Sequence, residues 1–266
     1  MREGGPPIRI DSIDDERVAD YAGLRGKESG EYLIAESAAV VERLVASPLE
    51  VRSFFLTPKA FERLADVVTR SSAPVYVAEP DVMAAVAGYD VHRGILASAR
   101  RPRERALEEV LATARRLVVL EGSNDHENIG VVARSARALG IDALVLDPSC
   151  ADPYYRRAVR VSMGEILHLP IVRCTAWPEP LDALAAAGFA TWALTPDVAA
   201  VPLFGLEVPA RVAIVAGAEG PGLTAAALAK IRTHVRIPMH HGVDSLNLGH
   251  ALAIAMAAVA PPVTNS

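Results

Sequence analysis

The chain has 266 residues, of which 51% are hydrophobic and 22% charged, so it can bury one large core or two ordinary ones. Its longest apolar stretches are far shorter than the roughly 20 residues that span a bilayer, and its N-terminal stretch does not resemble a signal peptide. Two cysteines without CxxC or Cys/His spacing argue against a disulfide framework and against a zinc site. We therefore expect a cytoplasmic protein, with no membrane partner, in which Cys150 and Cys174 are reduced thiols.

The formal net charge of −5 argues against a protein that binds nucleic acid through its bulk charge. Several arginines are nevertheless clustered, and a local patch can contact phosphates while the acidic remainder keeps the protein soluble. A solvated surface face is the alternative interpretation of the same residues. The clusters are Arg93, Arg100, Arg101, Arg103 and Arg105, followed by Arg156, Arg157 and Arg160.

The first half of the chain alternates short strand-like runs with amphipathic helical stretches. Because strands alternate with helices, we expect parallel pairing and an α/β layer structure. In chain order the predicted elements are a strand at Tyr32–Ala35, a helix at Ala38–Ala46, a strand at Val51–Leu56, a helix at Pro58–Val68, a strand at Val75–Ala78, a helix at Asp81–Ala87 and a strand at Gly94–Ala97.

A charged segment at residues 100–110 then interrupts the alternation, and we predict a domain boundary there, with domains at residues 1–105 and 106–266. The alternation restarts after this segment. The predicted elements are strands at Leu117–Leu120, Ala143–Leu146, Ala190–Leu194, Val212–Ala216 and His234–Ile237, a strand ending near Val172, and helices at Asn128–Leu139, Pro153–Val161, Leu181–Ala187, Thr224–Ile231 and Ser245–Val259.

Three segments of the second half combine polar residues and glycines in ways that invite a functional interpretation. In the first, Glu121–Arg134, a polar loop leads into a helix whose expected N-cap is Asp125 or Asn128, and Arg134 lies on that helix. By itself this segment also fits an ordinary capped connection with a surface arginine.

The second segment, Val215–Leu223, is rich in glycine. A hydrophobic strand ends in Gly217, Gly220 and Gly222 with Glu219 between them, and such glycines let a ligand approach the backbone closely. The spacing Gly-x-x-Gly-x-Gly differs from the dinucleotide-binding pattern, and the segment lies too late in the chain for a dinucleotide-binding loop.

The third segment, Ile237–Asn247, runs from an apolar strand end through a proline and a polar loop into the last helix. Asp244 or Ser245 is the expected N-cap of that helix. Two adjacent histidines in the loop could suggest a metal site, but neighbouring histidines do not readily face one ion. We therefore expect no metal here.

Together, the three segments resemble the SpoU/TrmH family of RNA ribose methyltransferases, which belongs to the SPOUT superfamily. The resemblance lies in the order Asn-x-Gly-x3-Arg, Gly-x-Glu-Gly-x-Gly-Leu and Ile-Pro-Met…Ser-Leu-Asn, and it covers roughly Leu117–Val259. The first half is similar to the ribosomal-protein-like RNA-binding domain that precedes SpoU catalytic domains. The segments YLIAES and HRGILA carry that second similarity.

The resemblance implies an α/β SPOUT methyltransferase domain with a parallel sheet and a deep C-terminal trefoil knot, preceded by a smaller α/β RNA-binding domain. It implies an RNA 2′-O-ribose methyltransferase that uses S-adenosylmethionine and acts on ribosomal RNA rather than transfer RNA. It also implies a homodimer through the knot region, in which the second subunit completes the site.

The resemblance also implies which residues form the site. The cofactor-binding positions are Thr195, Gly217, Ile237, Met239 and Leu246. Gly217, Ile237 and Leu246 are implied to hold the adenosine mainly through backbone groups. The polar active-site positions are Asn128, Arg134, Glu219, Ser245 and Asn247. Arginine clustering adds the candidate RNA contacts Arg93, Arg100, Arg101 and Arg103.

The usual proposal for this family makes the arginine, here Arg134, the group that activates the ribose 2′-hydroxyl. A guanidinium with a pKa above about 12 is a poor base near neutral pH, so we favour Arg134 as a ligand of the target phosphate that also stabilises the developing alkoxide. The proton then leaves to Ser245, water or the phosphate, and Asn128 orients Arg134 or the ribose. Glu219 is expected to brace the loops by accepting backbone N–H bonds, and a solvated loop carboxylate is the alternative.

Two positions depart from the family pattern. In the first motif, Asp-His-Glu-Asn replaces Asp-Pro-x-Asn. After the third motif, Leu248-Gly249-His250 replaces Val-Ser-x, so that a glycine stands at a helix start and a hydroxyl is lost. One alternative is therefore an RNA-binding or ribosome-assembly protein that no longer turns over. Another is an ordinary nucleotide-dependent α/β enzyme, but Arg25-Gly26-Lys27 does not make a phosphate loop.

Overall fold

The computed structural model describes residues 5–25 and 30–262. The first residues of the N-terminal stretch considered as a signal peptide, and Gly26-Lys27 of the candidate phosphate loop, lie outside the described residues. Within the described ranges, every helix is too short or too polar to cross a membrane.

Strands and helices alternate along most of the chain. The strands are β1 (Ile8–Arg9), β2 (Tyr32–Glu36), β3 (Val51–Leu56), β4 (Val75–Val77), β5 (Ile95–Arg100), β6 (Arg116–Glu121), β7 (Ala143–Leu146), β8 (Ile171–Arg173), β9 (Ala190–Leu194), β10 (Val201–Pro202), β11 (Val212–Gly217) and β12 (Thr233–Arg236). The helices are α1 (Ala38–Ala46), α2 (Pro58–Val68), α3 (Pro80–Ala87), α4 (Leu107–Thr113), α5 (His126–Ala138), α6 (Arg156–Val161), α7 (Pro180–Ala186), α8 (Ala225–Lys230) and α9 (Leu248–Val259).

The chain divides into two compact units. The first contains the residues up to Pro102 together with Pro153–His168, and the second contains Arg103–Asp152 and the residues from Leu169 onward. The predicted division placed everything after residue 105 in one domain, whereas α6 belongs to the first unit. It packs on β2, and the guanidinium of Arg156 on α6 lies 4.6 Å from the centre of the Tyr89 ring.

The first unit is built on a five-stranded sheet in the order β1-β4-β3-β5-β2. β1, β4 and β3 are mutually parallel, but β5 is antiparallel to both β3 and β2. The prediction of parallel pairing is therefore wrong for β5. After β4 the chain passes through helix α3 and the 3-10 turn His92–Gly94 and returns to the same edge of the sheet. β5 therefore begins beside the end of β3, with Ile95 opposite Leu56, and runs in the opposite direction.

The second unit is an α/β structure with a seven-stranded, entirely parallel sheet in the order β10-β12-β9-β11-β6-β7-β8. Strands β6, β7 and β11 are buried along nearly their whole length, because helices cover both faces of a parallel sheet. This explains why these segments are continuous hydrophobic runs rather than alternating ones. It confirms the α/β class and the parallel sheet predicted for the second half.

Helix α9 begins at Leu248, later than the predicted start at Ser245. Its N-cap is Asn247 rather than Asp244 or Ser245, so that prediction is wrong. The Asn247 Oδ1 atom accepts hydrogen bonds from the backbone N–H groups of Gly249 at 3.0 Å and His250 at 3.3 Å. Asparagine satisfies this role as well as aspartate or serine does, which is why residue type alone did not identify the cap.

Gly249 lies where α9 packs against α5. A Cβ atom at this position would lie 2.7 Å from Val131 Cγ1 and 3.2 Å from Asn247 Oδ1. The two helices therefore approach more closely than the serine of the family pattern would allow. Val131 on the facing helix occupies the space that the missing side chain leaves.

We expect Gly249→Ala to lower the free energy of unfolding by about 1–3 kcal/mol, because the added methyl group overpacks the contact with Val131. Val131→Ala removes the clashing methyl groups, so the double variant should be more stable than Gly249→Ala alone. Urea denaturation of the four proteins in this cycle measures the coupling. Purely additive effects would contradict the packing described here.

Candidate active site

The carboxyl ends of three neighbouring strands meet at one edge of the parallel sheet. β9 leads into Thr195, β11 ends at Gly217, and β12 leads into Ile237, and the three strands lie side by side in the order β12-β9-β11. In parallel sheets, ligands characteristically bind outside the carboxyl ends of the strands. Here the segments that follow the strands enclose a cavity of about 680 Å³.

The cavity collects most of the site residues that the sequence indicated. Those lining it are Thr195, Gly217, Glu219, Ile237, Met239, Ser245, Leu246 and Asn247. Asn128 and Arg134 are not among its lining residues. Asp244 also lines the cavity, although it was not among the site residues that the sequence indicated. Its place in a polar loop between two motif residues is the signal that could have identified it.

The loop Gly217–Leu223 folds back over its own first residue. The backbone N–H of Gly222 donates to the Ala218 carbonyl at 3.0 Å, and Gly220 and Gly222 have φ angles of 87° and 70°, which favour glycine. A Cβ atom on Gly217 would lie 2.1 Å from the carbonyl carbon of Gly222. Any side chain at position 217 would therefore force the loop open and change the wall of the cavity.

A polar cluster beside the cavity joins all three motif segments. The Asn247 Nδ2 group donates to Asn128 Oδ1 at 3.2 Å and to Glu219 Oε1 at 2.7 Å. Glu219 Oε1 also accepts the backbone N–H of Leu248 at 3.1 Å. Glu219 thus makes the kind of backbone hydrogen bond that was expected of a bracing residue. The cluster ties the loop after β11 to the start of α9 and, through Asn128, to α5.

Asn128 and Arg134 both lie on α5 but in different surroundings. Asn128 is buried in the first turn, whereas Arg134 is exposed two turns later, about 9 Å further along the helix axis. The N-cap of α5 is Asp125, one of the two predicted candidates, whose carboxylate accepts the backbone N–H of Glu127 at 2.8 Å. The hydrogen-bonded cluster and Arg134 therefore occupy separate parts of the helix.

A buried carboxylate, Asp147 directly after β7, holds the loop that precedes α5. It accepts the backbone N–H of Gly122 at 3.1 Å, the backbone N–H of Cys150 at 2.9 Å and the hydroxyl of Ser149 at 2.7 Å. Burial acts to raise the pKa of Asp147, but these hydrogen bonds outweigh it, and the pKa is lowered overall. The carboxylate therefore stays ionised at neutral pH and keeps the loop in place.

The two cysteines are free and buried, in agreement with the prediction of reduced thiols. Burial raises the pKa of the Cys150 thiol to about 12 and that of the Cys174 thiol to about 11, so neither is a nucleophile near neutral pH. The described part of the chain contains no group of three or more His, Cys, Asp or Glu side chains able to hold a metal ion.

The arginines between residues 93 and 103 do not form a single cluster in the structure, whereas Arg156 and Arg160 of the second sequence cluster lie together, each with a guanidinium nitrogen within 4.0 Å of Glu36 Oε2. Arg93 precedes β5 and Arg100 ends it, so they are separated by the length of the strand, roughly 20 Å. The Nε–H of Arg101 donates to the Tyr32 carbonyl at 3.3 Å. Arg103 is exposed and belongs to the second unit. Arg93 and Arg100 therefore belong to separate parts of the surface of the first unit.

The cavity lies at the carboxyl edge of a parallel sheet, with a glycine loop as one wall and an amide–carboxylate cluster beside it. This arrangement is typical of small-molecule sites in α/β proteins. The sequence profile of the SpoU rRNA methylase family matches residues 115–257, which span both the cavity and the cluster. The chain therefore belongs to the SpoU rRNA methylase family and is an RNA methyltransferase of the SpoU/TrmH type.

Individual relatives agree with this assignment. The chain is 44% identical over 252 residues to an uncharacterized tRNA/rRNA methyltransferase of Mycobacterium tuberculosis, covering 91% of this chain and 88% of the relative. It is 29% identical over 251 residues to RlmP of Bacillus subtilis, a 23S rRNA (guanosine(2553)-2′-O)-methyltransferase, covering 92% and 96%. The structure of an AdoMet-bound rRNA methyltransferase from Sinorhizobium meliloti has a TM-score of 0.80 at 20% identity, covering 96% of this chain and 98% of that one. This last similarity concerns the fold.

The cluster around Asn247 generates a prediction about pH. In Asn247→Asp one carboxylate oxygen can still cap α9, but the other replaces the amide donor and faces Glu219 Oε1. At about pH 7 we expect the variant to be about 1 kcal/mol less stable than the unsubstituted protein, because two acceptors now oppose each other at an exposed contact. Protonation of the introduced carboxyl group gives it a hydrogen to donate to Glu219, so the deficit should shrink as the pH falls towards about 4.5.

Asn247→Ser is the matched control, because serine also caps helices but is too short to oppose Glu219. Its stability deficit relative to the unsubstituted protein should change little with pH. Denaturant titrations of all three proteins at both pH values measure the difference. A deficit for Asn247→Asp that is the same at both pH values would contradict the contact with Glu219.

Proposed function

We propose that this protein transfers a methyl group from S-adenosylmethionine to a ribose 2′-hydroxyl of ribosomal RNA. The observation that carries the proposal is that all five positions implied to bind the cofactor line one cavity, although they come from three separate segments of the chain. The 2′-O position and the ribosomal substrate are supported by the similarity to RlmP, whose name specifies both.

The cavity suits the cofactor in size and in chemistry. Its volume of about 680 Å³ lies within the roughly 300–1,000 Å³ of typical small-molecule sites. Apolar side chains such as Leu194, Leu223 and Leu248 offer surfaces for a purine ring, and the backbone of the glycine loop offers N–H and C=O groups. When bound, S-adenosylmethionine supplies an electrophilic methyl group carried on a sulfonium.

The cofactor-binding residues act mainly through their backbone and their shape. Gly217, Ile237 and Leu246 hold the adenosine through backbone groups, with Met239 beside them and Thr195 at the end of β9. Gly217 has room for no side chain, because the loop folds directly onto it. Positioning of the two reactants is the main requirement of an in-line displacement, so a preformed cavity of this kind accounts for a large part of the catalysis.

Of the polar residues, Arg134 and Ser245 act on the RNA, and the others position the segments that carry the site. Arg134 binds the phosphate of the target nucleotide and stabilises the ribose oxygen as its negative charge develops. Ser245, in the cavity wall, accepts a hydrogen bond from the 2′-hydroxyl and relays its proton to water or to the phosphate. Asn128 and Glu219 hold Asn247 between them, which fixes the start of α9 and the loop that carries Ser245.

We include a trefoil knot in the second unit as part of the proposal. In the sheet, β9 lies between β12 and β11. The chain that follows β12 nevertheless passes the loop after β11, and its helix α9 packs against α5 and β11. The bonds of Asn247 to Glu219 and of Leu248 to Glu219 lie at this passage. Such a return of the chain past an earlier loop is what a knotted arrangement requires.

A homodimer through the knot region completes the site. Arg134 is exposed on α5 and is not among the residues that line the cavity of its own chain. A partner subunit that brings its own Arg134 to this cavity would supply the missing cation. The catalytic arrangement thus requires two copies of the chain.

The first unit recognises the RNA, and ribosomal RNA folds offer the unpaired bases and shapes that such domains recognise. Arg100 and Arg101 at the end of β5 contact phosphates, and Arg93 makes a separate contact. The Arg100 side chain is 65% exposed, so its charge is accessible at the surface. Its Nε lies 3.3 Å from Oε2 of Glu50, which is equally exposed. The predicted cytoplasmic location agrees with a ribosomal substrate and stays a prediction.

Calorimetric titration with S-adenosylmethionine tests the cofactor site. We expect saturable binding by the unsubstituted protein and at least a hundredfold loss of affinity in Gly217→Val, because the side chain forces the loop open. Gly30→Val is the control, since a Cβ atom on Gly30 would meet nothing within 4 Å. Equal affinities for the two variants, both folded, would contradict the assignment of the cavity.

Co-expression of two inactive variants tests the dimer and the role of Arg134. We expect Arg134→Ala to abolish methyl transfer while it leaves cofactor affinity unchanged, whereas Arg137→Ala on the same helix stays active. The co-expressed mixture of Arg134→Ala and Gly217→Val should recover about a quarter of the activity, because about half of its dimers are mixed and each mixed dimer holds one intact composite site out of two. Complete absence of recovery in purified mixed dimers would show that Arg134 does not act across subunits.

Charge reversal tests the RNA contacts of the first unit. We expect Arg100→Glu to weaken RNA binding and to reduce its dependence on salt concentration by about one phosphate contact. Arg93→Glu, at the other end of β5, should have a similar but independent effect. RNA affinity and salt dependence that stay unchanged in both variants would remove these arginines from the interface.

A further inference from the structure

Glu121, the last residue of β6, is a buried carboxylate that the proposed reaction does not use. Glu121 is only 5% exposed. Oε1 accepts the Trp177 Nε1–H at 2.6 Å and the Thr224 hydroxyl at 2.7 Å, and Oε2 accepts the Thr224 backbone N–H at 2.9 Å. A buried carboxylate is costly unless its oxygens are hydrogen-bonded, and these three bonds compensate for its burial.

The position of Glu121 connects it to the glycine loop. In the sheet Glu121 pairs with Gly217, the first residue of the loop. Thr224 directly follows the cavity-lining run at residues 216–223, and it is the N-cap of α8. The loop is therefore fixed at its beginning by strand pairing and at its end by the bonds from Thr224 to Glu121.

The glycine loop needs this second attachment because its fold is tight. Its last residues lie directly on its first, since a Cβ atom on Gly217 would be 2.3 Å from the Leu223 backbone nitrogen. Leu223 is adjacent to Thr224 in sequence, so displacement of Thr224 moves Leu223 away from Gly217. Such a displacement changes the cavity wall at Leu223, whereas Glu219 in the middle of the loop keeps its own bonds to Asn247 and Leu248.

We propose that Glu121 is a positioning residue for the cofactor, which acts by anchoring Thr224 and thereby holding the glycine loop closed over Gly217. This inference rests on the proposed function, because it assumes that the cavity binds S-adenosylmethionine. It assigns Glu121 to the binding of the cofactor and not to the chemical step or to the binding of RNA. Loss of the anchor should therefore raise the Kd and KM for the cofactor and leave kcat nearly unchanged.

Glu121→Gln is the most direct test. A glutamine can offer its oxygen to Trp177 and to the Thr224 hydroxyl, but its amide group would oppose the Thr224 backbone N–H, donor against donor. We expect the Kd and KM for S-adenosylmethionine to rise about tenfold, which corresponds to about 1.4 kcal/mol, with kcat at saturating cofactor and KM for RNA within about twofold.

Asp142→Asn is the matched control at the opposite end of β6. Its exposed carboxylate accepts the backbone N–H groups of Arg115 at 2.7 Å and Arg116 at 2.8 Å, so the substitution removes the charge of another carboxylate that binds backbone N–H groups, but far from the cavity. It should leave the cofactor Kd unchanged. Thr224→Val should raise the Kd as Glu121→Gln does, whereas Thr224→Ser, which keeps the hydroxyl, should bind like the unsubstituted protein.

The measurements are calorimetric Kd values, melting temperatures and steady-state kinetics for the full-length protein. A Kd for Glu121→Gln equal to that of the unsubstituted protein, with only the melting temperature lowered, would overturn the inference and leave the proposed function intact. If Glu121→Gln does not fold, Thr224→Val with unchanged Kd overturns it equally. Absence of cofactor binding by the unsubstituted protein would instead refute the proposed function, and the inference with it.

Discussion

The parallel pairing of β11 with β6 on one side and β9 on the other is the constraint on which the site depends. This pairing fixes Gly217 opposite Glu121 and aligns the ends of three strands at one edge of the sheet. A shift of one residue in β11 would reverse the side to which each of its side chains points and would separate the two anchors of the glycine loop. The cavity, the cap of α9 and the bonds of Glu219 all presuppose this register.

The main departure from the family pattern is accommodated within the second unit. Gly249 lacks the hydroxyl of the usual serine, but its backbone N–H still bonds to Asn247, and Val131 occupies the vacated space. The alternative of an RNA-binding protein without turnover drew its support from this glycine, and that support is now weaker. The alternative of an ordinary nucleotide-dependent enzyme is wrong, because the chain belongs to the SpoU family.

Local sequence predicted most elements, because hydrophobic runs, prolines and caps are short-range signals. Helices α1 and α2 and strand β3 have the predicted bounds, whereas β1 and β10, with two residues each, are too short to give an alternating pattern. The motifs indicated the residues of the cavity but not how they bond to each other. The direction of β5, the packing of α6 in the first unit and the role of Glu121 depend on contacts between distant segments, which no local pattern contains.

The most direct test of the central claim is the position of the transferred methyl group. Ribosomal and transfer RNA would each be incubated with the protein and methyl-labelled S-adenosylmethionine, and then hydrolysed with alkali. A 2′-O-methyl group removes the hydroxyl that attacks the neighbouring phosphate, so our account predicts label in alkali-resistant dinucleotides from ribosomal RNA. Label found only in mononucleotides would show that a base is methylated, and would contradict the account.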